Sequence, residues 1–71
     1  MTEVVFVLTE QTEDGHSVIG VYNTYPLAVA EKNAIIRDFF DIPEEEIPDN
    51  RLDEEVANSV TYDIVMRELQ K

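Results

Sequence analysis

Two apolar runs on either side of an Asp-Gly pair constrain this chain more than any other feature. Val4-Val5-Phe6-Val7-Leu8 and Ser17-Val18-Ile19-Gly20-Val21-Tyr22 flank Glu13-Asp14-Gly15-His16. β-Branched and aromatic residues suit a pleated, half-buried surface, and Asp-Gly between two such runs is a strong short-range hairpin signal. The connection is expected to span about Thr9 to His16, longer than a two-residue turn. A lone hairpin is marginal in water, so the rest of the chain has to cover it.

The cover comes next. Asn23-Thr24 followed by Pro26 reads as a helix cap with proline in the first turn. Beyond it Ala28, Ile35, Ile36 and Phe39 fall on one helical face, widened by Val29 and Phe40. Lys32 sits within that face and reads as a snorkelling lysine whose stem lies on the apolar surface, the other reading being a functional cation in a pocket. Pro43 and Pro48 end the helix and leave Asp41 to about Asn50 as an acidic connection with at most one helical turn, anchored by Ile42 and Ile47. Asn50 then reads as the cap of a second helix with Asp53 and Glu54 in its first turn, where the helix dipole favours carboxylates. Without glycine or proline that helix is free to continue to Leu69. Val60-Thr61-Tyr62-Asp63-Ile64-Val65-Met66 nevertheless alternates and is rich in strand formers, which favours a short helix to about Asn58 and a strand from about Val60 to Leu69.

The expected architecture is therefore α+β: a single domain, ββα(α)β, with a small three-stranded antiparallel or mixed sheet in strand order 2-1-3 and one main helix packed on one face. A central first strand explains the unbroken run Val4 to Leu8. The main helix covers only one face. Either Val5 and Val7, or Val4, Phe6 and Leu8, then need cover from the second helix or from another molecule.

The pattern "VVFVLTE…EDGHSVIGVYNTYPLAVAEKNAI…TYDIVMREL" resembles small, mostly uncharacterised ββαβ proteins of bacteria and their phages. In these a hairpin ending in an "IGVY/F" strand with a polar residue and Thr or Ser runs into an alanine-containing helix, and a late Tyr-x-Ile strand closes the sheet. The matching positions, Ile19, Gly20, Val21, Thr24 and Ala30, are structural. The resemblance implies that fold and a phage or mobile-element setting, but no activity, and it does not extend over Asp41 to Glu55.

Charge is the other marked feature. The chain has 71 residues, with 16 Asp and Glu against 5 Lys and Arg, for a net charge of −11. From Asp38 to Glu55 nine carboxylates face a single cation, Arg51, so this short stretch holds eight of the eleven net negative charges. Such a chain is repelled by nucleic acid and by anionic membranes and attracts basic proteins. Neither direct nucleic-acid binding nor membrane binding is expected. The longest apolar run is far below the ~20 residues that span a bilayer, and the start lacks a basic n-region, so a soluble, cytoplasmic protein is expected. There is no cysteine, which removes disulfides and thiolate chemistry. A chain of this length buries only about 60 to 65% of its unfolded surface, so its stability is expected to be modest.

Residues for catalysis are scarce. His16, the single histidine, adjoins Ser17, but strand neighbours point to opposite faces and cannot share a proton. Solvated carboxylates remain ionised at neutral pH and are poor general acids. The two glycines, Gly15 and Gly20, form no phosphate loop. "DIPEEEIPDNRLDEE" lacks the central glycine and ligand spacing of an EF-hand. No catalytic residue, metal site or cofactor is expected.

Two classes of function remain. In the first, the chain is a non-catalytic interaction module, an inhibitor that binds a basic, nucleic-acid-binding surface of a host protein as a DNA mimic. Its contacts are then Asp41, Glu44, Glu45, Glu46, Asp49, Asp53, Glu54 and Glu55, with Phe40 and Ile47, and also Ile42 and Tyr25, as apolar anchors, since charge steers association more than it selects. In the second, the chain is a structural homodimer paired through the uncovered sheet face, and its charge serves solubility.

Overall fold

A computed structural model of the chain describes residues 3–69. The element order is β1 (Glu3–Thr12), β2 (Gly15–Tyr22), α1 (Tyr25–Phe40), a 3-10 turn (Asp49–Arg51), α2 (Leu52–Val56) and β3 (Thr61–Leu69). The three strands form one antiparallel sheet in the order β2-β1-β3, with β1 central. The α+β class, the strand order and the strand assignment after Val60 agree with the sequence expectation. No described helix is long and apolar enough to cross a membrane.

The hairpin is tighter than expected. Thr12 faces Gly15, so Glu13 and Asp14 alone make the turn. The Asp14 amide donates to Thr12 Oγ1 at 3.2 Å, and Gly15 takes φ 141°, a conformation that side chains resist. The polar residues Thr9 to Thr12 extend the ladder because backbone pairing requires no apolar side chain.

The register of β1 and β2 slips once. Leu8 faces Gly20 while Thr9 faces Val18, so Ile19 is the extra residue of a β-bulge. This turns Ile19 inward to pack against the core, although Val18 and Val21 flank it on the opposite face. The Tyr22 ring lies over Gly20 on the inner face, so that a Cβ at position 20 would lie 2.7 Å from Tyr22 Oη.

Helix α1 starts as its sequence indicates. Thr24 caps it, accepting a bond from the Leu27 amide at 3.3 Å, with Pro26 in the first turn. Asp41 ends it in the left-handed conformation (φ 57°, ψ 47°), and the Ile42 amide donates to the Arg37 carbonyl at 2.9 Å. That reversal swings Ile42 back onto the core. Two expectations fail locally. Phe39 is 76% exposed and is not part of the buried face, where Phe40 packs instead. Asn50 lies inside the 3-10 turn and caps nothing, because the chain enters α2 directly from that turn.

Leu8, Ile36, Leu52, Val56, Val60 and Tyr62 form the core, each large side chain contributing about 1.5–3 kcal/mol. Leu52 and Val56 come from α2, so both helices cover the same face of the sheet. The opposite face, carrying Val5 and Val7, has no helix on it. The molecule is correspondingly thin, 42 × 28 × 16 Å, and its radius of gyration of 13.2 Å exceeds the about 11 Å of a compact domain of this length.

Candidate functional site

The acidic connection between α1 and α2 is tied down at one point. Arg37, in the last turn of α1, donates from Nη1 to the Pro43 carbonyl at 2.7 Å and from Nη2 to the Ile47 carbonyl at 2.6 Å and Asp49 Oδ1 at 2.8 Å. Its side chain is only 12% exposed. A guanidinium offers donors in a rigid plane and satisfies three acceptors at once, which an ammonium on a flexible stem does poorly. With Ile42 and Ile47 packed against the core on either side of Pro43 to Glu46, the segment is fixed by two apolar contacts and one cation. Glu44 to Glu46 form a single turn, closed by the Glu46 amide on the Pro43 carbonyl at 3.1 Å.

A second tie joins the helices. Lys32 Nζ lies 2.9 Å from Asp53 Oδ1, and the lysine side chain is 14% exposed. The stem is buried as a residue of the apolar face should be, and the ammonium ends on a half-exposed carboxylate of α2. A third pair, Arg51 with Glu54 at 3.8 Å on an exposed surface, contributes little.

These ties divide the acidic residues. Asp49 and Asp53 are engaged within the chain. Asp38, Asp41, Glu44, Glu45, Glu46 and Glu55 are exposed and make no ion pair among the described residues. Glu54 lies on the side of α2 opposite Leu52 and Val56, and Glu55 is exposed on its flank. Of the apolar residues expected as anchors, Phe40, Ile42 and Ile47 pack against the core, and Tyr25 meets Phe6 edge-on at 5.9 Å. The exposed aromatic beside the segment is Phe39, which stands against Phe40 at 5.0 Å, ring to edge. It borders a groove of about 380 Å³ lined by Ile35, Phe40, Val60 and Tyr62, with Glu10 and Asp14 among its polar residues.

Sequence reading missed Arg37 as the organising residue, because two of its three partners are backbone carbonyls, which every residue carries. The available signal was its position, a lone cation one turn before a proline-bounded acidic loop. Burial raises the Tyr62 phenol above its ordinary value, with Glu10 and Asp53 adding to the effect, and raises Tyr22 likewise with Glu31. His16 lies opposite Gln11 and Ser17 opposite Glu10 in the ladder, so their side chains leave on opposite faces. No family model, curated protein or solved structure matches the chain.

Proposed function

We propose that this chain is a non-catalytic acidic protein-interaction module, acting in the cytoplasm as an inhibitor from a phage or mobile element. In this reading the exposed carboxylates of residues 41–55 occupy a basic, nucleic-acid-binding surface of a host protein, as a DNA mimic does. The phage setting rests on the resemblance of the hairpin, helix and closing strand alone. The observation that carries the binding mode is the Arg37 tie. A freely moving acidic loop loses its conformational freedom on binding, whereas this one is already held by three hydrogen bonds and two packed isoleucines, so its carboxylates are presented at little ordering cost. Duplex DNA carries one charge per ~1.7 Å of axis, and consecutive Glu44, Glu45 and Glu46 approach such a density locally. Phe39 supplies the apolar anchor that charge alone lacks.

Binding to an immobilised basic DNA-binding protein, measured against salt, tests the reading. Log affinity falls with log salt, DNA competes for the partner, and replacing Glu44, Glu45 and Glu46 by glutamine weakens binding about tenfold or more while leaving the thermal melt unchanged. Glu3→Gln, remote from the segment, leaves binding unaffected. A triple variant that binds as well as the parent overturns the assignment and reduces the charge run to a solubility device.

A further inference from the structure

The face of the sheet turned away from the helices has its own organisation. Ladder pairing places Val21, Val7 and Val65 side by side in a row across β2, β1 and β3. Val5 and Leu69 continue the apolar surface on one side of that row and Val18 on the other; Val18, Val21, Val65 and Leu69 are 64%, 59%, 38% and 42% exposed. The β-bulge at Ile19 is what brings Val18 and Val21 onto the same face, so the chain departs from regular pairing in a way that enlarges this patch.

Charge on the face is sparse and ordered. The acidic segment belongs to the other layer, since Ile42 and Ile47 pack against the helix-side core. On β3, Asp63 and Arg67 stand two residues to either side of Val65, both exposed and without an ion-pair partner among the described residues. A two-fold axis running along the row Val21–Val7–Val65, in the plane between two stacked sheets, reverses strand direction and sets each valine of the row against its own copy. It also carries Arg67 of each chain over Asp63 of the other, and Val5 over Thr9. An isologous contact requires this self-complementarity: residue i meets j, and j meets i.

The dimensions suit such a contact. Ten residues of β1 at ~3.3 Å each, across three strands at ~4.8 Å, give a face of about 33 by 14 Å. Two such faces project roughly 900 Å² before side-chain relief is counted, near the ~1,000 Å² that a specific interface has to reach. Sheets stack about 10 Å apart, a gap that facing valines fill and that an arginine and an aspartate together span. Pairing would turn a 16 Å thick two-layer plate into a four-layer body with the sheets inside.

We infer that this open sheet face binds a second copy of the chain, two-fold about the Val21–Val7–Val65 row, with Arg67 of each copy paired to Asp63 of its partner. The contact is independent of the acidic segment and stands or falls separately from the binding role proposed for it. Sedimentation of the full chain at tens to hundreds of micromolar should show a species of twice the 8.2 kDa chain mass. Asp63→Arg alone sets arginine over arginine, and Arg67→Asp alone sets aspartate over aspartate, so each weakens the dimer about tenfold or more. An equimolar mixture of the two variants restores both pairs in a heterodimer, and the double variant restores them in a homodimer. A parent that is monomeric throughout this range overturns the interface. A dimer indifferent to the single reversals, or not restored by mixing, overturns the two-fold arrangement.

Discussion

Arg37 Nη2 lies 2.8 Å from Asp49 Oδ1 and joins the end of one helix to the turn that begins the next, twelve positions along the chain. The same nitrogen holds the Ile47 carbonyl and its neighbour holds that of Pro43, so the guanidinium takes the place of a hydrophobic core for a loop that has only two isoleucines to bury. Arg37→Lys keeps the charge but not the planar fork. It is expected to lower unfolding free energy by about 2 kcal/mol in urea titration, because hydrogen bonds from a charged donor contribute ~1.5–3 kcal/mol and carbonyls are left unpaired. Asp49→Asn, at an exposed carboxylate, should lose under ~1 kcal/mol. Equal losses for the two variants would show that the carboxylate, and not the carbonyls, is the principal partner.

The contrast between those two substitutions reflects what was legible in the sequence. The strand order, the cap at Thr24 with Pro26, and the switch to strand at Thr61 follow from patterns of side-chain type, and all are present. The bulge at Ile19 leaves no mark in the residue pattern, since Ser17 to Tyr22 reads as one regular strand, and the hairpin is shorter than expected because polar residues pair as readily as apolar ones. Phe39 and Phe40 are equally apolar neighbours at a helix end, yet only Phe40 packs on the core, a choice the residue types do not make. The acidic residues were evident from composition, but which of them are paired within the described residues depends on contacts between α1 and residues 49–53 that no local pattern specifies.

Asn33 is a second test of how the helix layer is held. It lies on the buried side of α1, and its Oδ1 makes no hydrogen bond among the described residues. A buried acceptor without a donor costs ~1–3 kcal/mol relative to a satisfied one. Asn33→Leu, which keeps the branched shape at Cγ while replacing the amide by two methyls, is therefore expected to stabilise the protein by about 1 kcal/mol in thermal or urea unfolding. Destabilisation by the leucine would mean that the amide is satisfied in solution and supports the layer.

Gly20 and Tyr22 are coupled through space. A Cβ at position 20 would meet the tyrosine ring, with its nearest atoms at 2.7, 3.0 and 3.2 Å. Gly20→Ala alone should lose about 1–3 kcal/mol as the ring is displaced from the inner face. In a Tyr22→Leu background the same alanine should lose much less, giving a coupling of about 1 kcal/mol or more in a double-mutant cycle. Additive losses would indicate that the backbone conformation of the bulge, and not the ring, demands glycine.

Tyr62 links the core to the charged residues around it and should be read out at alkaline pH. Burial first, then Glu10 directly across the ladder, then Asp53, all oppose the phenolate and raise its pKa above the ordinary value. Tyr22 is shifted in the same direction by burial and Glu31. Above about pH 10, where a tyrosine in the unfolded chain releases its proton, the folded protein still holds these protons and so binds more of them than the unfolded chain does. Stability is then complete below that pH and declines as pH rises toward the folded values. Tyr62→Phe should shallow this decline in melts taken across the alkaline range, and a variant that follows the parent's slope would assign the loss to other groups. Lys32 bears on the same phenol, since its ammonium lies 2.9 Å from Asp53. Lys32→Met leaves that carboxylate unscreened beside Tyr62 and should push the phenol further up in a spectrophotometric titration, and an unchanged or lowered value would show that Asp53 turns away to solvent once the lysine is gone.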